Sequence, residues 1–385
     1  MRDVRVEDIR RVAVLGAGLM GHGIAQLVAM AGYEVTMRDV AQEFLDAGME
    51  KIRWSLDKLA EKKRITREAA DQALGRIRTT IDLGEAVGAC DFVIEAVPED
   101  INIKRAVFAE VDEKAPRHAI LATNTSTLPI SEIAEATGRP EKVVGMHFFS
   151  PAQLMPLIEI TRGRETSDEA VEVTAKLGES LGKEVVMCRR DVPGFIVNRI
   201  LMALFNEAAW LLYRGEAQVI EVDSAIKYKV GLPMGPFELS DFVGIDVIYK
   251  ASEAISTRDP ENLLLCPLYR EYYEKGQLGQ KSGKGFYEYE AEKWARPTIP
   301  KEAGEKIDPL TVMAPAINSA AWLIANEVTD REGVEKAVRL GLGFPKGIME
   351  LADEWGIDAV VKVLRGKEKH GEYYRPNPLL TKMID

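Results

Sequence analysis

Four histidines occur in the 385-residue chain, and one of them is placed for proton transfer. His147 closes the apolar run VVGMH and is followed by FFSP. His22 lies in a glycine-rich turn, His118 in the charged stretch PRHA, and His370 in a polar tail. Imidazole takes up and returns a proton near neutral pH, and ligands of open α/β sheets bind beyond the carboxyl ends of the strands. His147 is therefore the candidate general base. Twelve residues on, Glu159 sits inside the apolar stretch PLIEIT. A carboxylate buried there needs a partner, because burial alone is costly. Bound to a histidine, it would hold the tautomer and stabilise the imidazolium. Glu159 could equally be a solvent-facing strand residue, and spacing by itself leaves the two readings even.

A second cluster suits phosphates. Gly16, Gly18 and Gly21 form G-x-G-x-x-G directly after the apolar strand RVAVL (Arg11–Leu15) and ahead of the helical run IAQLVAMAG. The first glycine permits a tight turn, the second lets backbone approach a pyrophosphate, and the third lets the helix lie close to the sheet. The helix start offers N–H groups and a positive dipole end. Asp39, 23 residues after Gly16, ends the next strand pattern, EVTMRD. Its carboxylate would accept bonds from ribose hydroxyls, which favours NAD over NADP. Arg38 beside it could turn toward a phosphate, and Asp39 read alone could be a solvated strand end.

The elements that must hold these residues alternate in type. After the first two strands, residues 41–64 read as a helix with a basic far end (Lys58, Lys62, Lys63, Arg64). Strand patterns recur at 90–99, 119–126, 142–149, 157–161 and 184–187. Strands alternating with helices predict a parallel, doubly wound sheet. After DVPGF at 191–195 the pattern becomes helical, rich in Ala, Leu, Ile and Met. NEAAWLL at 206–212 returns as NSAAWLI at 318–324, and GLPMGPFELSDFVGID at 231–246 returns as GFPKGIMELADEWGID at 343–358, both shifted by 112 residues. A duplicated helical module is expected. The predicted organisation is an α/β domain at 1–190, a first helical domain at 191–291, a linker at 292–306 and a second, degenerate helical copy at 307–385.

Composition narrows the class further. A net charge of −11 argues against a nucleic-acid scaffold. No apolar run approaches a membrane span, and the charged N-terminus has no signal-peptide core. Cys90, Cys188 and Cys266 are scattered without metal-ligand spacing. No metal site is expected, and a reducing cytoplasm is the simplest compartment.

NTSTL at 124–128, MHFFSP at 146–151, PLIEI at 156–160, PGFIVNRI at 193–200, GLPMGPFELSDFVGID and KSGKGFY at 281–287 resemble the L-3-hydroxyacyl-CoA dehydrogenases. The resemblance runs from about Arg11 to Tyr289 in the family's order and spacing. It implies a Rossmann-type domain followed by an all-α dimerising domain, with the active site in the cleft between them. It also implies NAD as cofactor and reversible oxidation of an (S)-3-hydroxyacyl-CoA to the 3-oxoacyl-CoA. Carried over residue by residue, the resemblance makes His147 the base and Glu159 its partner. Ser126 then contacts the substrate hydroxyl and cofactor, and Asn198 lies near the thioester. The glycine loop with Leu19 and Met20, and further Asp39, Glu99, Lys104, Ser150 and Lys281, match cofactor contacts, whereas Ser55 and Lys62 match contacts to the CoA moiety. Ser150 is a departure: the family commonly has asparagine there, and serine lacks the amide's second donor. The second helical copy, in which Leu310 stands opposite Asn198, resembles fused fatty-acid oxidation proteins, in which a hydratase domain often follows; no hydratase-like segment is visible here. The implied partner is an acyl-CoA, and the chain would be a monomer with an internal pseudo-dimer or a homodimer. The alternatives are a dehydrogenase of a free hydroxy acid on the same scaffold, or a non-catalytic NAD-binding relative.

Overall fold

The computed structural model describes residues 5–259, 264–290 and 295–384. The chain forms two compact units, one reaching to Val192 and one starting at Pro193.

The first unit is built on one eight-stranded sheet. Its strands are β1 (Arg11–Leu15), β2 (Glu34–Arg38), β3 (Ile77–Thr80), β4 (Phe92–Glu95), β5 (Ile120–Thr123), β6 (Val143–Phe148), β7 (Leu157–Thr161) and β8 (Glu184–Cys188). They lie side by side in the order β3-β2-β1-β4-β5-β6-β7-β8. From β1 the chain winds outward through β2 and β3, then returns to β4 on the other side. That reversal leaves a crevice at the carboxyl ends of β1 and β4. Strands β4 to β7 are buried at every position, as expected of strands covered on both faces.

Two features depart from the sequence reading. The edge strand β3, IRTT, has no counterpart among the predicted strands, because only its two end residues are buried. The sheet is also not parallel throughout, since β7 runs antiparallel to β6. The chain between them, residues 149–156, is too short for the dozen or more residues that a parallel crossover needs.

The second unit is helical, and its two halves repeat in structure as they do in sequence. Helices Val197–Tyr213 and Pro309–Ala325 have 17 residues each, begin 112 positions apart, and pack along one another. The following helices keep that offset: Val219–Ala225 with Arg331–Leu342, Pro236–Val243 with Ile348–Trp355, and Ile245–Arg258 with Ile357–Lys367. Capping is repeated too. Asp223 accepts the Phe237 and Glu238 N–H groups (2.8 Å each). Glu335, its counterpart, accepts those of Met349 and Glu350 (3.2 and 2.9 Å). Each acid satisfies two of the orphan donors that open a helix. Burial pushes the Asp223 carboxyl up to about 7.

The contact between the halves is reciprocal. Gly231 (φ 90°) and Gly343 (φ 70°) occupy equivalent left-handed turns. A Cβ on Gly231 would lie 3.2 Å from Pro345, and one on Gly343 would lie 3.3 Å from Pro233. Position i meets j and j meets i, the signature of a two-fold relation. A buried charge cluster also joins the halves. Glu207, fully buried, accepts from Lys367 Nζ (2.5 Å) and Tyr374 OH (2.7 Å) and lies 3.3 Å from Arg214 Nη2. The copies differ where a hairpin docks. Asp241 binds the Phe286 and Tyr287 N–H groups and the Tyr289 hydroxyl, whereas its counterpart Asp353 pairs with Arg331 at the surface.

The stretch expected to be a linker, 292–306, lies partly outside the described residues, at 292–294. The remainder is tied down. Ser224 Oγ donates to the Pro300 and Lys301 carbonyls (2.7 and 2.9 Å), and Tyr228 OH to that of Ile299 (2.9 Å). Low periodicity signalled the absence of a long helix there, not the absence of fixed contacts. Among the described residues, no helix is long and apolar enough to cross a membrane.

Candidate active site

The antiparallel register of β6 and β7 sets His147 directly opposite Glu159. Side chains facing each other across such a pair are within reach on one face of the sheet. The His147 Nδ1 lies 2.7 Å from Glu159 Oε2, with His147 only 6 % exposed and Glu159 fully buried. Nδ1–H donates to the carboxylate, so Nε2 carries the lone pair that can take up a proton. Phe149 packs against the imidazole, ring centroids 4.6 Å apart. The strand end is held by Asn124, whose Oδ1 accepts the Phe148 N–H at 2.8 Å.

The loop after β5 gathers on one carboxylate oxygen. Glu99 Oε1 accepts from Thr125 Oγ1 (2.7 Å), from the backbone N and Oγ of Ser126 (2.8 and 3.2 Å), and from the N and Oγ1 of Thr127 (3.2 and 3.3 Å). Burial alone would raise the Glu99 carboxyl, but the nearby Lys104 ammonium and these donors hold it below the usual carboxylate range. Lys104 is itself buried. Its Nζ contacts Glu95 Oε1 (2.7 Å), Glu99 Oε2 (3.3 Å) and the Val97 carbonyl (3.3 Å), three acceptors for three donor hydrogens. It therefore stands behind Glu99 as the ion that positions it. Glu95 and Asn124 escaped the sequence reading. Glu95 had a usable signal, since an acid within the strand FVIE poses the same burial problem as Glu159.

The glycine loop meets its steric demands at named contacts. Gly16 adopts φ +104°, and a Cβ there would approach the Ala96 carbonyl oxygen to 2.5 Å. A Cβ on Gly21 would overlap the Gly16 carbonyl. At Gly18 nothing lies within 4 Å of the Cβ position, so backbone is open to a ligand at the start of helix Gly21–Met30. His22 Nδ1 lies 2.6 Å from the Gly18 carbonyl, and burial lowers its pKa. Leu19 is 70 % exposed at the loop tip and Met20 half-buried. Asp39 Oδ2 accepts the Ala17 N–H at 2.7 Å, and Oδ1 accepts that of Val40 at 2.6 Å. A carboxylate fixed to the loop, open backbone at Gly18 and a helix start together fit the ribose and phosphates of a dinucleotide.

The other named residues are spread more widely. Ser150 is exposed two residues beyond β6. Ser55, half-buried, belongs to helix Gln42–Glu61, and Lys62 is exposed at its carboxyl end. Asn198 and Lys281 belong to the second unit. Asn198 is half-buried in the first turn of helix Val197–Tyr213, and Lys281 pairs with Asp246. Among the described residues, no group of three or more His, Cys, Asp or Glu is disposed to hold a metal.

Comparison with known proteins agrees with this layout. Residues 11–192 match the family model "3-hydroxyacyl-CoA dehydrogenase, NAD binding domain". Residues 194–289, and again 311–385, match "3-hydroxyacyl-CoA dehydrogenase, C-terminal domain". The chain is 42 % identical over 284 residues to the "Probable 3-hydroxybutyryl-CoA dehydrogenase" of Bacillus subtilis, covering 74 % of this chain and 98 % of that one. It is 38 % identical over 379 residues to the "Fatty acid oxidation complex subunit alpha" of Psychrobacter cryohalolentis, covering 92 % of this chain but 52 % of the relative. It thus spans about half the length of that subunit. The crystal structure of 3-hydroxybutyryl-CoA dehydrogenase from Escherichia coli K12 superposes with a TM-score of 0.89 at 27 % identity, over 98 % of both chains. The chain belongs to the 3-hydroxyacyl-CoA dehydrogenase family and is an NAD-dependent oxidoreductase.

Proposed function

We propose that this chain oxidises the 3-hydroxyl of an (S)-3-hydroxyacyl-CoA to the 3-oxo thioester, reversibly, with His147 as general base. The observation that carries the proposal is the buried His147–Glu159 pair, joined at 2.7 Å by strand register. His147 Nε2 takes the hydroxyl proton. The imidazolium so formed is stabilised by Glu159, a fixed charge where water is scarce and electrostatic interactions are strong. NAD, when bound, accepts the hydride from C3. Ser126 orients the substrate hydroxyl, with its backbone N–H anchored on Glu99. Asn198 donates from its amide to the thioester carbonyl, and Ser55 and Lys62 hold the CoA arm. Relatives named for 3-hydroxybutyryl-CoA make a four-carbon substrate the first to assay. In an assay that follows NADH across 3-hydroxyacyl-CoA chain lengths, activity is expected with the thioesters and not with free 3-hydroxybutyrate. Turnover of the free acid alone would overturn the proposal in favour of a hydroxy-acid dehydrogenase, and no turnover of either in favour of a non-catalytic relative.

Asp39 sets a second expectation. The additional phosphate of NADP would meet a carboxylate that Ala17 and Val40 already hold in place, and like charges so juxtaposed cost several kcal/mol. The kcat/KM for NAD should exceed that for NADP by about 10²-fold or more, and Asp39→Ala should narrow the gap. An NADP preference in the unaltered protein would refute the assignment.

A further inference from the structure

Helix Gln42–Glu61 buries Leu45, Gly48, Ile52 and Leu56 and packs mainly on helices Gly21–Met30 and Arg67–Gly75, leaving an indole in the open. Trp54 is 65 % exposed. At 3.6 residues per turn, Lys51, Ser55, Lys58 and Lys62 follow one another along a single stripe of this helix, and Trp54 lies one turn from Lys58 on the border of that stripe. Lys62 ends the helix, Lys63 reverses the chain with φ 54°, and Arg64 follows, all three exposed. Lys58 is engaged only at the surface, 2.7 Å from Glu61 with both side chains about half exposed. Such pairs contribute little and are readily exchanged for another anion.

A second exposed apolar group lies elsewhere. Leu19, Val40 and Phe44 surround the loops after β1 and β2, where the cofactor's ribose belongs. Trp54 is ten residues farther along the helix than Phe44, ~15 Å at 1.5 Å per residue. It therefore lies apart from the loops where the cofactor's ribose belongs. The CoA arm of the substrate ends in a nucleotide, one planar base with phosphates on both sides of the ribose. An aromatic face bordered by lysines matches that chemistry, because bases stack on indole and phosphates take charge-assisted bonds from ammonium groups.

We propose that Trp54 stacks on the adenine of the substrate's CoA, with Lys58 and Lys62 on its phosphates. This rests on the reading that Ser55 and Lys62 hold the CoA arm. The test compares 3-hydroxybutyryl-CoA with 3-hydroxybutyryl-pantetheine, which lacks the nucleotide. Trp54→Ala is expected to lower the ratio of kcat/KM for the CoA thioester over the pantetheine thioester about tenfold, through KM, and Trp54→Phe to recover most of it. Adenosine 3′,5′-bisphosphate should quench tryptophan fluorescence in the unaltered protein and much less in Trp54→Phe. Lys62→Ala serves as the reference. A ratio left unchanged by Trp54→Ala while Lys62→Ala lowers it overturns the stacking alone. Unaltered protein that treats both thioesters alike, with Lys62→Ala silent, overturns the CoA-arm reading and the stacking together.

Discussion

His147→Gln should lower turnover by about 10²- to 10⁴-fold, the usual loss when a positioned base is removed, with NADH binding close to normal. Glutamine fills most of the same space, and no glycine-loop or Asp39 contact depends on the imidazole. Glu159→Gln keeps the shape and removes the charge, so the imidazolium loses its counter-ion and turnover falls as well. The informative measurement is the double variant. A base and the group that supports it act as one unit, and losses within a unit do not multiply. The double variant should be little worse than His147→Gln alone. Full multiplication of the two single losses would separate the residues functionally, and near-normal turnover of His147→Gln would remove the base assignment.

Glu207→Ala should lower the stability of the second unit by about 3–5 kcal/mol, because it strands the buried Lys367 beside a hole where its counter-charge stood, while Arg214 keeps only its pair with Glu216. For a unit of nearly 200 residues this amounts to a fall in Tm of roughly 6–20 °C, read by calorimetry. The effect should exceed that of an exposed pair, such as Arg270→Ala, by several fold. Replacing Glu207 and Lys367 together by Leu and Met should cost less than the single change, since a buried ion pair is often exchanged for apolar packing at little loss. A Glu207→Ala protein that melts with the unaltered one would show that the cluster is not a lock between the copies.

How much of this could be read from sequence depends on whether a signal is local. The glycine loop and Asp39 were legible because strand, turn and helix start each impose a residue type at a fixed offset. The 112-residue repeat was legible because two blocks shared one register, and the caps at Asp223 and Glu335 extend it to residues that differ in type. The pairing of His147 with Glu159 was only half legible. Each residue was suspicious alone, but their meeting depends on β7 reversing, and the clue to that was the brevity of residues 149–156. Strand β3 and the burial of Lys104, a residue named only through the family resemblance, were illegible for opposite reasons. The first is too polar to look like a strand, and the second is a charge whose burial no local pattern announces.

The reciprocal seating of Gly231 on Pro345 and of Gly343 on Pro233 has an evolutionary consequence. In a symmetric pair of identical chains, every substitution at the contact appears twice, and neither face can change without the other. Once the two faces are separate stretches of one gene, each substitution appears once, and association no longer depends on protein concentration because the tether sets a local one. Each copy is then free to change wherever the seats between them do not constrain it. The copies already differ, with Leu310 opposite Asn198 and Asp353 paired with a surface arginine where Asp241 holds a hairpin, while the glycine–proline seats are the same in both.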